Sequence, residues 1–243
     1  SIELFFWKKV LTISPVINIM LITGSKTCKK YLLLLTKYKK EEESMNKIEN
    51  LQIYKQALIV VDMVNGFVKE GVLHDQAIAK IVPRQIELIK DYQEKKQLIL
   101  FIKDTHQENA TEFKRFGSTK HCLKESREAS IIDELKPYTK GSNVIEIEKN
   151  STSYMEAPLF REIIKKAHNL KEIDVVGCCT DICVFNGTMA LANYFDQWNL
   201  DVLIRVHQDA IATYNEANRK EYVDAANLLM TQQGIQLVKK FTY

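Results

Sequence analysis

Residues 175–184 read Val-Val-Gly-Cys-Cys-Thr-Asp-Ile-Cys-Val, which places three cysteines inside six positions at the end of a short β-branched run. Thr180 or Asp181 can cap a helix that continues to about Trp198, and with Thr180 as the N-cap Cys183 falls in the first turn. Unpaired backbone N–H groups and the positive end of the helix dipole favour a thiolate there. Cys183 is the leading nucleophile on this reading. The alternative is an inert buried thiol that serves as a small hydrophobe.

The rest of the chain must supply the partners of such a nucleophile. Residues 57–61 and 98–102 are continuous apolar runs too short for helices, as expected of central parallel strands covered on both faces. Residues 144–148, 173–176, 202–206 and 235–238 read as four further strands. Helical spacing fills the intervals at 78–92, 157–168 and 215–231, and a short helix is expected at 129–135. Pro83 either kinks the first of these helices or marks its first turn. Strand and helix alternate, which predicts an α/β fold with a doubly wound, mainly parallel six-stranded sheet and helices on both faces.

In such sheets the ligand crevice lies beyond the carboxyl ends of the strands. That rule gathers Asp62, Asp104 with His106, Lys149, and Cys183, which follow the first four strands. A carboxylate, an ammonium and a thiol at one edge form a base, an electrostatic partner and a nucleophile. Residues 107–126 form a long connection carrying Glu112, Phe113, Phe116, His121 and Cys122, and loops of this length in compact domains are usually functional.

The 243 residues are 46% hydrophobic and 27% charged, which suits one globular domain with a well-buried core. Residues 1–44 hold eight lysines against four glutamates, a net +4, so the overall +3 leaves −1 for the remainder. A near-neutral folded part lacks the basic face of a nucleic-acid binder. Five cysteines, an odd number with three clustered, argue against a secreted disulfide framework and for a reducing cytoplasm. The apolar stretch 5–21 is interrupted by Lys8, Lys9 and Pro15 and is too short for a confident membrane span. Residues 1–44 are therefore expected to be an extension outside the fold, with Met45 opening a domain that runs to residue 243 and needs no membrane.

The segment Ala-Leu-Ile-Val-Val-Asp-Met-Val-Asn-Gly-Phe ending at Phe67, the pair Glu148-Lys149, and Gly-Cys-Cys-Thr-Asp-Ile-Cys ending at Cys183 resemble the isochorismatase-like cysteine hydrolases, nicotinamidases especially. The resemblance spans about residues 57–238. It implies the isochorismatase-like three-layer fold, a catalytic triad of Asp62, Lys149 and Cys183, and a cis peptide between Cys178 and Cys179 that turns the Cys179 and Cys183 amides into an oxyanion hole. Phe67 matches the position whose ring lines the substrate pocket, and Phe116 is a second candidate from the long loop; core packing is the alternative for both. Asp104 and His106 resemble the metal-binding pair of the nicotinamidase branch, with His121 as the later histidine and Glu112 as an additional ligand. Where that branch carries a proline pair before the later histidine, this chain has Ser118-Thr119-Lys120. The other reading of His121 is a surface histidine. Imidazole and carboxylate donors suit a divalent ion, zinc first, with manganese and iron as alternatives.

The activity implied is hydrolysis of nicotinamide to nicotinate and ammonia through a cysteine thioester, within NAD salvage, by a cytoplasmic homo-oligomer acting on a small carboxamide. A related hydrolase acting on another small amide or carbamoyl compound, and a non-enzymatic binding protein on the same fold, are the rival readings.

Overall fold

The computed structural model describes residues 50–239, so the readings of residues 1–44 and of Met45 lie outside the described residues. Six strands form one sheet: β1 (Gln56–Val61), β2 (Leu98–Asp104), β3 (Val144–Lys149), β4 (Glu172–Cys178), β5 (Leu203–Ala212) and β6 (Gln236–Val238). Their order is β3-β2-β1-β4-β5-β6 and every neighbouring pair is parallel. The chain winds outward from β1 to β3, returns to the middle and winds outward again from β4. The switch point thus lies between β1 and β4, where a crevice opens at the carboxyl ends of the strands.

Parallel neighbours need crossovers, and helices supply them. In chain order these are α1 (Asn65–Val68), α2 (Gln76–Ala79), α3 (Val82–Glu94), α4 (Thr111–Arg115), α5 (Pro158–Lys166), α6 (Phe185–Gln197) and α7 (Arg219–Gln232). Side chains of β1 alternate between two cores because successive residues of a strand point to opposite faces. Ala57, Ile59 and Val61 pack with Phe160 and Ile163 of α5, Leu191 of α6 and Met230 of α7. Leu58 and Val60 pack on the other side with Ile89 and Tyr92 of α3. Both faces of the sheet are covered, which explains why the central strands read as unbroken apolar runs.

Several local expectations change. Pro83 sits in the first turn of α3, the second of its two readings. Residues 129–135 do not form a helix. Their backbone groups are spent on the segment after β1: the Asn65 and Gly66 N–H groups donate to the Ser130 and Glu128 carbonyls, the Ile132 N–H donates to the Met63 carbonyl, and Val64 bridges Ile131 antiparallel. β5 runs six residues past its expected end, to Ala212, because Ala210, Ile211 and Ala212 are buried beside β4 despite the polar His207-Gln208-Asp209 before them. Gly177 meets a stringent requirement. Its φ is +122° and a Cβ there would lie 2.1 Å from the Val61 carbonyl oxygen, so only glycine lets β4 pass β1 at the crevice. Among the described residues no helix is long and apolar enough to cross a membrane.

Candidate active site

The carboxyl ends of the central strands deliver the charged groups. Asp62 follows β1 with φ +52°. Asp104 ends β2 and Lys149 ends β3, and the two are register partners. Cys183 arrives from the turn after β4, beyond a cis peptide between Cys178 and Cys179. That turn is π-helical from Thr180 to Val184, with Cys179 rather than Thr180 in the N-cap position and no side-chain cap. The Ile182 and Val184 N–H groups both donate to the Cys179 carbonyl, and the extra residue in the turn carries Cys183 toward Lys149.

Lys149 is the hub of the site. Its buried ammonium donates to Asp104 Oδ1 at 2.7 Å and to Cys183 Sγ at 3.6 Å, and lies 2.9 Å from Asp62 Oδ2. The last contact is an ion pair off the hydrogen-bonding direction, so neither buried oxygen of Asp62 has an aligned donor among the described residues. Burial is the main reason that the Asp62 pKa rises to about 6; Lys149 opposes the rise and Asp104 adds to it. Asp104 behaves oppositely. Burial would raise its pKa, but Lys149 and the two histidines hold it well below the ordinary carboxylate range. Lys149 remains charged, since its two carboxylates outweigh burial.

The thiol differs from the thiolate expected of a helix first turn. Burial pushes the Cys183 pKa well above its usual value; Lys149 opposes this, and Asp62 and Asp104 reinforce it. At rest the site holds a neutral thiol between an ammonium and an open carboxylate. Such a thiol needs a base to become a nucleophile.

On the far side of Asp104 lies a second cluster. Donor atoms of Asp104, His106 and His121 all fall within 4.8 Å of one another, and all three residues are buried, so His121 is not a surface histidine. His106 Nε2 is 2.8 Å and His121 Nε2 is 3.4 Å from the same oxygen, Asp104 Oδ2. Glu112, on α4, brings Oε1 to 3.7 Å from His106 Nε2. The other ring nitrogens face acceptors: His106 Nδ1 lies 2.6 Å from Asn150 Oδ1 and His121 Nδ1 lies 3.0 Å from the Thr119 carbonyl. Both Nε2 atoms point at one anionic oxygen, and a cation placed there would be met by their lone pairs in place of the protons. The donor set therefore fits a divalent ion, with Asp104, His106 and His121 as its holders and Glu112 within reach.

A cavity of about 340 Å³ connects the two clusters and is lined by Cys183, Asp104 and His121. Phe67 is buried and Phe116 is 44% exposed, and both line it, so Phe116 is not a core residue. Several wall residues have no counterpart in the sequence reading. Thr213 and Tyr214 arrive through the unexpected length of β5, and Arg219 and Tyr222 through α7. Phe113 packs edge-on against His106 and His121 at centroid separations of 5.1 and 5.3 Å and walls the donor cluster. It lay in the long loop among the noted residues, but nothing in its spacing distinguished it from Phe116.

Comparison with known proteins gives this arrangement a lineage. The family model described as "Isochorismatase domain" matches residues 56–238. Nicotinamidase 1 of Arabidopsis thaliana is 27% identical over 218 residues, which is 76% of this chain and 86% of that protein. Among solved structures, a pyrazinamidase of Pyrococcus horikoshii in complex with zinc superposes with a TM-score of 0.61 at 24% identity, covering 76% of this chain and 99% of that one. An N-carbamoylsarcosine amidase from Thermoplasma acidophilum gives 0.62 at 23% identity, covering 78% and 98%. At these identities the two structures bear on the fold alone, whereas the family match spans all six strands and the whole crevice. The chain belongs to the isochorismatase family of hydrolases.

Proposed function

We propose that this amidohydrolase cleaves nicotinamide to nicotinate and ammonia through a thioester on Cys183, with Asp62 as proton carrier and Lys149 as electrostatic partner. The observation that carries the reading is the single buried ammonium of Lys149, in contact with both the Cys183 sulfur and the Asp62 carboxylate. Asp62, with open oxygens and a pKa of about 6, takes the Cys183 proton. The sulfur attacks the carboxamide carbon, and the resulting oxyanion is met by the Cys179 and Cys183 backbone N–H groups, stabilisation whose loss costs ~3 to 4 kcal/mol per donor. Asp62 returns its proton to the amide nitrogen, the C–N bond breaks and ammonia departs. Water then gives a proton to Asp62 and its oxygen to the acyl carbon. The C–S bond breaks, and the thiol regains the proton from Asp62.

Aromatic walls at Phe67, Phe116 and Tyr214 suit a flat ring. Asp104, His106 and His121, with Glu112, would hold a divalent ion, zinc by analogy with the ion in the Pyrococcus pyrazinamidase structure. When bound, that ion supplies a Lewis-acid contact for a ring nitrogen and so orients the amide. Arg219 at the cavity wall favours one rival, a carbamoyl compound bearing a carboxylate. Cytoplasmic residence, a part in NAD salvage and homo-oligomeric assembly belong to the main reading.

The test is ammonia release from nicotinamide, pyrazinamide and an N-carbamoyl amino acid, each with wild type and C183A in added zinc, manganese or iron(II). Nicotinamide is expected to be the best substrate, and C183A to be inactive. Preference for the N-carbamoyl amino acid would replace the substrate assignment, and an active C183A would remove the nucleophile.

A further inference from the structure

We propose that Asn150 is the positioning residue that makes His106 an Nε2 metal ligand. The inference rests on the metal reading above and concerns what prepares the site for its ion. The sheet itself places the residue. β2 and β3 run in register so that Asp104 pairs with Lys149, and the Thr105 N–H donates to the Lys149 carbonyl at 2.9 Å, carrying the pairing one step further. Asn150, the next residue, therefore stands beside His106.

A neutral imidazole has one proton and one lone pair to distribute between its nitrogens. At His106 two acceptors compete for the proton. Asp104 Oδ2 lies 2.8 Å from Nε2, and Asn150 Oδ1 lies 2.6 Å from Nδ1. If Asp104 prevails, Nε2 carries hydrogen and cannot coordinate. The Asn150 oxygen holds the proton at Nδ1 and leaves the Nε2 lone pair facing the other donors. At His121 the equivalent acceptor is the Thr119 carbonyl, a main-chain group. At His106 the acceptor is a side chain, so sequence can vary it.

Asn150 is exposed whereas the His106 ring is fully buried, so replacing Asn150 leaves the core packing in place. This separates a role toward metal from a role in folding. The experiment uses the full chain stripped with a chelator, and measures zinc and cobalt(II) affinity by competition alongside the melting temperature of the metal-free protein. N150A is expected to bind either ion about 10- to 100-fold more weakly, the usual cost of losing the partner of a ligating histidine. N150D, whose carboxylate accepts the same bond, is expected to bind at least as tightly as wild type. Metal-free melting temperatures of all three are expected to coincide.

Equal affinities in wild type and N150A would overturn the inference while leaving the metal reading intact. A weakened affinity matched by an equal loss of metal-free stability, or no rescue in N150D, would overturn it in favour of a structural role. A wild type that binds neither ion would overturn both readings.

Discussion

Burial raises the Asp62 pKa to about 6 although Lys149 lies 2.9 Å from its carboxylate, and that places activity and stability in opposition at one residue. A carboxyl whose folded pKa exceeds its unfolded value binds protons more tightly in the native state. Stability is therefore lost as pH rises from about 4 to about 6, and ionised Asp62 costs the fold ~3 kcal/mol at pH 7. The proposed chemistry needs that ionised form. We expect kcat/KM to fall below about pH 6, and D62N to lose about 100- to 10,000-fold in rate at pH 7. D62N is also expected to melt no lower than wild type at that pH. A D62N enzyme within tenfold of wild-type rate, or a profile without an acid limb, would remove Asp62 as proton carrier. Asp62, Lys149 and Cys183 were legible as neighbours because each follows an expected strand, an apolar run before Asp62 and Cys183 and an alternating one before Lys149, and in a parallel sheet those ends share one edge. Asn150 was not, since its partner is set by pairing between two strands and nothing in its own neighbourhood signals a ligand-facing amide.

Elements were legible where burial is two-sided and obscured where polar residues are paid for by long-range partners. β4 and β5 show both. Asp174, in the otherwise apolar β4, accepts hydrogen bonds from Arg205 Nε of β5 at 2.6 Å and from the Tyr92 hydroxyl of α3 at 2.8 Å, with His207 Nε2 at 3.2 Å. The segment 129–135 failed as a helix for a related reason, since its backbone bonds go to residues 63–66 across the fold. Burial alone would raise the Asp174 pKa, but His207, Arg205 and Tyr92 bring it down to about 2. A depressed carboxyl stabilises the fold above its unfolded pKa, near 4, and the contribution disappears as pH falls through about 2. It is worth ~2 kcal/mol at neutral pH. D174N is therefore expected to melt about 4 to 8 °C below wild type at pH 7, with the gap closing as both approach pH 2. A gap independent of pH would mean that packing, rather than charge, holds this junction of β4, β5 and α3.

At the scale of the whole molecule, the proposed site draws on residues from Asp62 to Tyr222, and among the described residues the two cores run from Leu51 to Ile235. The parallel sheet and its layers were legible from alternation alone, because parallel neighbours admit few connections; the strand order and the walls of the cavity were not, since the fold brings Phe116 together with Tyr214 and Arg219 from two distant regions of the chain. The family match begins at residue 56, and we propose Met45 as the start of a self-sufficient domain. A chain beginning at Met45 keeps every strand of the sheet and every residue of the proposed triad and donor cluster. It omits a segment of net charge +4 and leaves a near-neutral remainder of −1. We expect it to be soluble, to melt within about 2 °C of the full chain, and to release ammonia from nicotinamide at the same rate, a change that corresponds to less than about 1 kcal/mol in a domain of this size. Thermal melts and turnover of the two proteins side by side decide the matter. A shortened chain that precipitates, or that melts well below the full one, would overturn the proposal that the domain beginning at Met45 is self-sufficient.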